Sequence, residues 1–467
     1  MRIVLIHPPL INIVSGATPE YVDKNRGNTP PLGLLYIQAA VENSGHESFF
    51  LDAALMGWDY VETAQQALSY NPDLIGLQAM TFTLRDAYMV VKAIKSINCQ
   101  IKVLIGGAHP TIYPEETAQL DGVDFAFAGE GEVNFINFLN VFNDQERRRT
   151  VPGIACKVSG KVVYTPTMGT FEDLDCVSYP SRKSSLYRQY TSVLSKHNLM
   201  TTMITSRGCP FYCVFCNRMG RTYRYHSAKY VLGEIEQILG LGIQEIFIHD
   251  DTFTLNRDRV EHICRGIIER QYKIVWEART RVDCVDQRLL ALMRKAGCYR
   301  LSFGVESGSE RVLKSMKKEI KLEMVEKVFK WCRSEGIVTL ADFMFGNLDE
   351  TAEDIKKTLE FIKRIDPNFA QYSICTPYPD TPLYQLGLKK GFIPRDVWKE
   401  FACNPLQDFR TPVWNQYFKE EELKEITASA YKAFYLRPNF ILKQLMRINS
   451  FDQFKKMAYG AIGMLRK

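Results

Sequence analysis

The sequence predicts an α/β protein with two parallel-sheet domains followed by a mainly helical region. Short apolar runs alternate with helical patterns over residues 1–145 and again over residues 201–393, as βαβ units require. Glycines and polar residues follow most of these runs, at the strand ends where parallel α/β folds bind ligands. The 467 residues also exceed one ordinary hydrophobic core, so several domains are expected.

The first domain, residues 1–145, is predicted to be a Rossmann-like sheet. Gly106 and Gly107 follow one predicted strand, and Gly129 and Glu130 follow the next. Neither a G-x-G-x-x-G nor a phosphate-loop lysine motif is present, which argues against a nucleotide-binding domain. The predicted strands are residues 3–6, 47–51, 74–80, 102–105 and 125–128, and the clearest helices are residues 32–43 and 85–97.

The rest of the chain divides into three further parts. Residues 146–200 are predicted to be a linker with a small hairpin, residues 201–393 a partial (β/α)6 barrel of the TIM type, and residues 394–467 a helical C-terminal domain. The predicted barrel strands after the first, near residue 201, are residues 243–248, 273–279, 300–303, 338–345 and 371–375.

Three cysteines on one predicted loop indicate a metal site. Cys209, Cys213 and Cys216 are spaced C-x3-C-x2-C after the apolar run 201–205. The absence of a nearby fourth thiolate favours an iron-sulfur cubane with one open iron. Zinc would need a fourth ligand, for which His226 is the nearby candidate.

With the aromatic Phe215 just before the last cysteine, this triad resembles the signature of the radical S-adenosylmethionine (SAM) enzymes. The resemblance implies that the cysteines hold a 4Fe-4S cluster whose fourth iron is chelated by SAM. Residues 249–251 replace the family's glycine-glycine-glutamate turn, so the contact to the methionyl amine stays open between Asp250 and Asp251. Arg281 and Glu306 are the next implied SAM contacts.

The first domain resembles the cobalamin-binding domain that precedes many radical SAM cores. The resemblance rests on the order of five short motifs, which are residues 31–34, 45–46, 52, 106–111 and 129–132. The D-x-H-x-x-G motif of the mutase type is absent, and we expect none of His7, His46 and His109 to ligate cobalt. The lower face of the cofactor would instead be covered by residues 80–84 or 106–111. The implied cofactor-binding residues are Gly33, Met80, Thr81, Gly106, Gly107, His109, Thr111, Gly129 and Glu130.

The resemblance implies a cobalamin-dependent radical SAM enzyme that methylates an unactivated carbon. One SAM would methylate cobalamin, and a second would yield the 5′-deoxyadenosyl radical that removes a substrate hydrogen. A radical SAM cyclase or rearrangement enzyme acting on a tetrapyrrole or isoprenoid lipid is the alternative within this architecture. A non-catalytic cobalamin or iron-sulfur sensor is the alternative from another class.

The distribution of charge restricts the classes of partner that are expected. Residues 431–467 hold eight basic residues and one acidic residue, a charge of +7, so the rest of the chain sums to −1 and a nucleic-acid groove across the body is not expected. Within this tail, the apolar residues of 440–465 recur at helical spacing, which suits either packing on the barrel or contact with an anionic membrane.

The expected compartment is the cytoplasm, with peripheral membrane contact through the tail as an open alternative. The twelve cysteines are dispersed apart from the triad, which is typical of a reducing compartment, and the N-terminus lacks a secretory signal. The expected partners are a small-molecule or lipid-like substrate and a reductant such as ferredoxin or flavodoxin.

Overall fold

The structure, a computed structural model, describes residues 1–14, 27–167, 169–170, 172–192, 195–197, 199–217, 222–414 and 416–445. The chain divides into two compact units. The N-terminal unit contains residues 1–15, 30–190 and 394–411, and the barrel unit contains residues 16–29, 191–393 and 412–467.

Within these ranges the strands are, in chain order, β1 Arg2–His7, β2 Gly27–Asn28, β3 Glu47–Asp52, β4 Leu74–Gln78, β5 Lys102–Gly106, β6 Phe125–Phe127, β7 Ile154–Val158, β8 Lys161–Tyr164, β9 Thr191–Ser192, β10 Met200–Met203, β11 Ser206–Arg207, β12 Arg224–Tyr225, β13 Glu245–Ile248, β14 Val275–Thr280, β15 Cys298–Glu306, β16 Val338–Phe345 and β17 Phe369–Ile374.

The α-helices of the same ranges are α1 Leu32–Asn43, α2 Ala53–Met56, α3 Tyr60–Ser69, α4 Leu84–Ile97, α5 Ala108–Ile112, α6 Pro114–Gln119, α7 Gly131–Asn140, α8 Gln145–Arg148, α9 Ala228–Gly240, α10 Arg257–Glu269, α11 Gln287–Lys295, α12 Glu310–Ser315, α13 Leu322–Ser334, α14 Ala352–Ile365, α15 Pro382–Lys390, α16 Val397–Cys403, α17 Glu420–Tyr435 and α18 Pro438–Leu445.

The N-terminal unit is built on a seven-stranded sheet in the order β3-β1-β4-β5-β6-β7-β8. Strands β3 to β6 of that order run parallel, and β7 and β8 add an antiparallel hairpin at the edge of β6. The hairpin, which the sequence analysis assigned to a linker, therefore extends this sheet. Apolar strand residues such as Ile3, Leu5 and Phe125 pack with α7 residues such as Phe138 to form the core.

The barrel unit is built on six parallel strands in the order β10-β13-β14-β15-β16-β17. One face of this sheet packs on helices: Phe303 of β15 lies 5.4 Å from Phe329 of α13 between ring centroids. Helix starts follow ordinary capping chemistry, since Ser227 caps α9 and Thr351 forms a capping box with Asp354 at α14. Together, the Rossmann-like sheet, partial barrel and helical C-terminal region confirm the predicted α/β architecture.

After the barrel, residues 394–411 return to the N-terminal unit. Helix α16 buries Trp398 and Phe401, and the ring of Phe409 lies 4.5 Å from that of Phe401. Arg85 of α4 donates a 2.8 Å hydrogen bond to the carbonyl oxygen of Pro405. A segment remote in sequence thus completes the core of this unit.

Helix α17 packs on the last barrel strand. Tyr431 is 3% exposed, and its ring meets that of Tyr372 edge-on at 4.9 Å. Most of the predicted amphipathic tail, residues 446–467, lies outside the described residues. In the ranges that are described, no helix is long and apolar enough to span a membrane.

Candidate cofactor sites

The cysteine loop starts where the first barrel strand ends. Strand β11 pairs antiparallel with β12, and Gly208 leaves the pair with a φ of 84°, a left-handed conformation that suits glycine. Backbone hydrogen bonds join Val214 N to Met316 O at 3.0 Å and Leu383 N to Val214 O at 2.9 Å. The loop is therefore tied to two other segments of the barrel unit.

The three cysteine thiols of this loop influence one another. Burial raises the pKa of Cys213, and the Cys209 thiol raises it further. Cys216 is exposed as a residue, yet the protein around its thiol removes enough water to raise its pKa to about 12, with a further rise caused by Cys213. Raised pKa values keep Cys213 and Cys216 as thiols unless a cation is bound, and the soft thiolate donors that they would then supply suit iron. The donor set therefore fits the implied cluster.

The described residues nevertheless contain no group of three or more His, Cys, Asp or Glu side chains arranged to hold a metal ion. Cys213 is buried at 6% exposure and Cys209 is half-buried, with its sulfur 3.9 Å from Thr252 Oγ1. The cysteines thus share one loop without forming a ready-made ligand cluster.

Arg281 packs on the cysteine loop. Its guanidinium carbon lies 3.6 Å from the centroid of the Phe211 ring, a cation–π geometry. The same side chain donates to Asp283 at 2.8 and 2.9 Å and to the carbonyl oxygen of Lys318 at 2.9 Å. With these donors engaged, Arg281 acts on the loop through Phe211.

Lys318 is a buried lysine that the sequence analysis missed. It is 7% exposed, its Nζ lies 2.9 Å from Glu306 Oε1, and it lies 6.0 Å from the centroid of the Phe215 ring. Burial alone would lower its pKa, but Glu306 and then Cys213 reverse this effect and raise it. No spacing rule singles out this lysine, because it contacts the site from a turn after α12.

Glu306 has an unusual backbone conformation. Its φ is 68°, and the pairing of β15 with β16 shifts register between Gly304 and Glu306. A Cβ added at Gly304 would collide with the Glu306 carboxylate and lie 2.8 Å from Lys318 Nζ. Left-handed backbone at a non-glycine residue is a marker of functional sites, and here it aims Glu306 at Lys318.

The structure separates the roles of Asp250 and Asp251. Asp250 is 1% exposed and accepts hydrogen bonds at 2.6 Å from Thr205 N, Thr205 Oγ1 and Ser206 Oγ, while Arg259 lies 3.6 Å away. Its carboxylate is therefore used up in anchoring the segment before the cysteine loop. Asp251 is exposed, and no hydrogen bond to its carboxylate is found among the described residues. Burial and then Asp250 raise its pKa, and Arg279 opposes that rise.

The carboxyl edge of the N-terminal sheet brings most of the predicted cobalamin residues together. Gly107 has a φ of 114°, and a Cβ there would lie 2.8 Å from Ala79 O, so only glycine fits. Thr111 Oγ1 donates to Gly107 O at 2.8 Å and accepts from Gly129 N at 2.9 Å, joining two turns. Met80, Gly106 and Glu130 are half-buried, Thr81 is buried, and Gly33 at the start of α1 is exposed. A glycine-lined edge of this kind fits a bulky cofactor.

The three histidines of this unit have different environments. His46 precedes β3 at the opposite, amino-terminal edge, with its Nδ1 3.2 Å from the N-terminal amine. His109 is fully buried, neither ring nitrogen has a hydrogen-bond partner among the described residues, and burial lowers its pKa to about 3. His7 Nδ1 lies 2.9 Å from Asp52 Oδ1, and Tyr190 donates to the other Asp52 oxygen at 2.8 Å. This trio was not predicted.

A barrel with a three-cysteine loop, linked to a glycine-edged Rossmann-like sheet, defines a class of proteins that carry two cofactor domains in one chain. A family model for the radical SAM superfamily matches residues 203–362, and one for the B12 binding domain matches residues 21–139. An uncharacterized methyltransferase of Pyrococcus horikoshii is 30% identical over 458 residues, which cover 97% of this chain and 96% of that protein. The chain therefore belongs to the radical SAM superfamily, within the family of B12-domain proteins that includes this relative.

Further relatives carry other activities in their names. The anaerobic magnesium-protoporphyrin IX monomethyl ester cyclase of Rubrivivax gelatinosus is 29% identical and covers 94% of this chain and 78% of that protein. Among solved structures, the cobalamin-dependent SAM radical enzyme OxsB, with aqua-cobalamin and SAM bound, has a TM-score of 0.75 at 18% identity, covering 99% of this chain and 72% of that one. The radical SAM methyltransferase TsrM of Kitasatospora setae has a TM-score of 0.70 at 17% identity, covering 84% and 75%. The two structures share the fold of this chain.

Proposed function

We propose that the protein is a cobalamin-dependent radical SAM methyltransferase that methylates an unactivated carbon. The observation that carries this proposal is the cysteine loop, held beside the buried Lys318–Glu306 pair at the carboxyl edge of the barrel. When bound, a 4Fe-4S cluster and SAM supply hydrogen abstraction, and cobalamin supplies a methyl group. The two family-model matches and the methyltransferase relative support the assignment.

In this proposal the barrel residues bind and orient SAM. Cys209, Cys213 and Cys216 ligate the cluster, and Asp251, the open carboxylate, receives the methionyl amine. Lys318 and Glu306 contact the carboxylate and ribose of SAM, with Phe215 alongside. Asp250 and Arg281 are positioning residues, because their contacts anchor the cysteine loop and its preceding segment.

The edge of the N-terminal sheet holds cobalamin in the same proposal. Gly106, Gly107 and Gly129 let the backbone approach the cofactor, while Met80, Thr81, Thr111 and Glu130 line it. None of His7, His46 and His109 ligates cobalt. The positions of His46 at the far edge and of His109 in the core support this part of the proposal.

The test is product stoichiometry in an anaerobic assay of reconstituted, reduced enzyme with cobalamin and SAM. A methyltransferase forms one S-adenosylhomocysteine and one 5′-deoxyadenosine for each product. Product formed with 5′-deoxyadenosine but without S-adenosylhomocysteine would identify the cyclase alternative, which the Rubrivivax relative supports. A protein that binds the cofactors but never forms 5′-deoxyadenosine would match the sensor alternative.

Two partner proposals follow the same reasoning. The cluster requires a one-electron donor, for which a ferredoxin or flavodoxin is proposed. The basic tail is proposed to make peripheral contact with an anionic membrane, because Ile441 and Leu442 of α18 are 44% and 58% exposed and each basic residue near such a surface adds about 1 kcal/mol. Flotation with anionic liposomes, comparing the full chain with one that ends at Arg437, tests the contact: equal flotation of the two chains excludes it.

A further inference from the structure

The contacts of the outer face of the barrel sheet show which strand residues lie on its inner face. Trp276 of β14 donates from Nε1 to Ala296 O at 2.8 Å, and Phe303 of β15 packs on α13. Because side chains alternate along a strand, Arg279 and Ser302 lie on the opposite, inner face. The parallel register pairs Arg279 with Ser302, Gly304 with Asp342 and Asp342 with Gln371. Arg279 and Ser302 therefore form one row across the sheet, and Gly304, Asp342 and Gln371 form the next row toward the carboxyl end.

Charged groups elsewhere on this face are satisfied within the protein. Arg300 pairs with Glu277, and Tyr299 donates to Glu245 at 2.7 Å, toward the amino-terminal end of the strands. Lys318 pairs with Glu306, and Arg281 pairs with Asp283, toward the carboxyl end. Each of these four charged pairs or hydrogen-bonded groups therefore has a partner within the protein.

Arg279 and Asp342 lie between these ends without such partners. Arg279 is exposed, and its guanidinium carbon lies 5.9 Å from the centroid of the Phe247 ring. Its charge opposes the rise that burial causes in the pKa of Asp251, but it forms no ion pair among the described residues. Asp342 is half-buried, and no hydrogen bond to its carboxylate is found among the described residues. Burial raises its pKa to about 7, and Arg279 opposes that rise without reaching ion-pair distance. Two opposite charges thus face the same concave surface, separated from each other.

We propose that Arg279 and Asp342 recognise the substrate, which is a small polar molecule with an anionic group for Arg279 and an N–H or O–H donor for Asp342. The inference rests on the proposed function, because it takes the barrel interior as the reaction site. A guanidinium binds carboxylate or phosphate through two parallel hydrogen bonds. A pure hydrocarbon lipid would leave both charges desolvated and unpaired, which is unfavourable.

The experiment follows a methyl label through reconstituted wild-type holoenzyme and four variants. Wild type, Arg279→Gln and Asp342→Asn are incubated with methyl-deuterated SAM and a small-molecule extract of cells that carry the gene. The reaction is then divided into an anion-exchange-retained aqueous fraction and an organic phase. Arg270→Gln, at the exposed end of α10, is the matched control.

We expect label in the anionic fraction with wild type and with Arg270→Gln, and a loss of roughly tenfold or more with Arg279→Gln and Asp342→Asn. Formation of 5′-deoxyadenosine by the two site variants should stay within about twofold of wild type, because neither variant replaces a residue proposed to contact SAM. Arg279→Lys, which keeps the charge, should recover part of the label.

Label in the organic phase would overturn the inference, as would an unlabelled anionic fraction from wild type that forms 5′-deoxyadenosine. Loss of 5′-deoxyadenosine together with product in Arg279→Gln or Asp342→Asn would make these residues SAM contacts and would also overturn it. Failure of wild type to form either 5′-deoxyadenosine or S-adenosylhomocysteine would instead contradict the proposed function.

Discussion

At the scale of single residues, similar side chains take different tasks because of their neighbours. Asp250 is enclosed by hydroxyl, amide and guanidinium groups, whereas Asp251, the next residue, is open. A strand-end position could be predicted for both. The difference between their environments could not be predicted, because Arg259 and Thr205 approach Asp250 through tertiary contacts that sequence spacing does not encode.

Replacing Cys213 with alanine should remove the cluster. The change leaves two thiolates on the loop, too few for a site-differentiated cubane. Iron content and absorbance near 400 nm after anaerobic reconstitution should fall close to background, as for alanine at either of the other two positions. Cys99→Ala, at an exposed cysteine outside the barrel unit, should retain both signals; near-normal iron in the triple variant would refute the ligand assignment.

Replacing Lys318 with methionine should impair SAM use. The change leaves the Glu306 carboxylate without its cation at 2.9 Å, and a buried charge stripped of its partner costs about 3 kcal/mol. We expect SAM affinity, measured by equilibrium dialysis, to fall roughly tenfold to a hundredfold. The neighbouring Lys317 is exposed, so Lys317→Met should bind SAM like wild type; equal loss in both variants would exclude a specific role for Lys318.

Glu350 should make stability depend on pH. It is 1% exposed, and burial raises its pKa from 4.5 to about 7. The folded state then binds the Glu350 proton more tightly than the unfolded state does. Protonation of Glu350 therefore contributes to the free energy of unfolding in full below pH 4.5, and this contribution is lost as the pH rises to 7. Between pH 5 and pH 8, the free energy of unfolding, measured with urea, should fall by about 2 kcal/mol less in Glu350→Gln than in wild type. The exposed Glu353→Gln should follow wild type.

At the scale of elements, periodicity predicted most strands and helices but not their edges. The alternating pattern of residues 154–164 identified a hairpin, and only tertiary pairing with β6 made it part of the sheet. Lys318 was missed for the same reason, since its turn contacts the cysteine loop from a distant part of the sequence. Local patterns define elements, whereas packing decides which elements share a sheet or a site.

Replacing Gly107 with alanine tests the turn after β5. A Cβ would meet the carbonyl of Ala79 at 2.8 Å, and a backbone carbonyl at a sheet edge cannot move aside cheaply. We expect a loss of at least about 2 kcal/mol in unfolding free energy and loss of cobalamin retention. Gly45→Ala also has a positive φ but nothing within 4 Å, so it should cost only about 1 kcal/mol. If both variants lost the same unfolding free energy, the loss in Gly107→Ala would come from the backbone conformation alone and not from the contact with Ala79.

At the scale of the whole molecule, two compact units share one chain that crosses between them more than once. Both predicted sheets are present, and their cofactor edges follow the general rule for parallel folds. The return of residues 394–411 to the N-terminal unit had no sequence signal, because a short amphipathic helix can pack on either unit.

Replacing Trp398 with alanine should destabilise the N-terminal unit selectively. Trp398 is fully buried in α16, and an aromatic-to-alanine change in a core costs about 3–5 kcal/mol. Hydrogen exchange should accelerate in peptides from β4 and β5 while peptides from β15 and β16 keep their protection. Trp276→Ala, in the barrel sheet, should give the opposite pattern; acceleration throughout the molecule in both variants would contradict independent units.

The return segment also has a consequence during synthesis on the ribosome. The N-terminal unit leaves the ribosome first, yet its last core residues are Trp398, Phe401 and Phe409. The unit made first is therefore completed only after the barrel strands have emerged. The N-terminal unit therefore lacks part of its core until residue 409 has been translated, and we expect stable cobalamin binding only after that point.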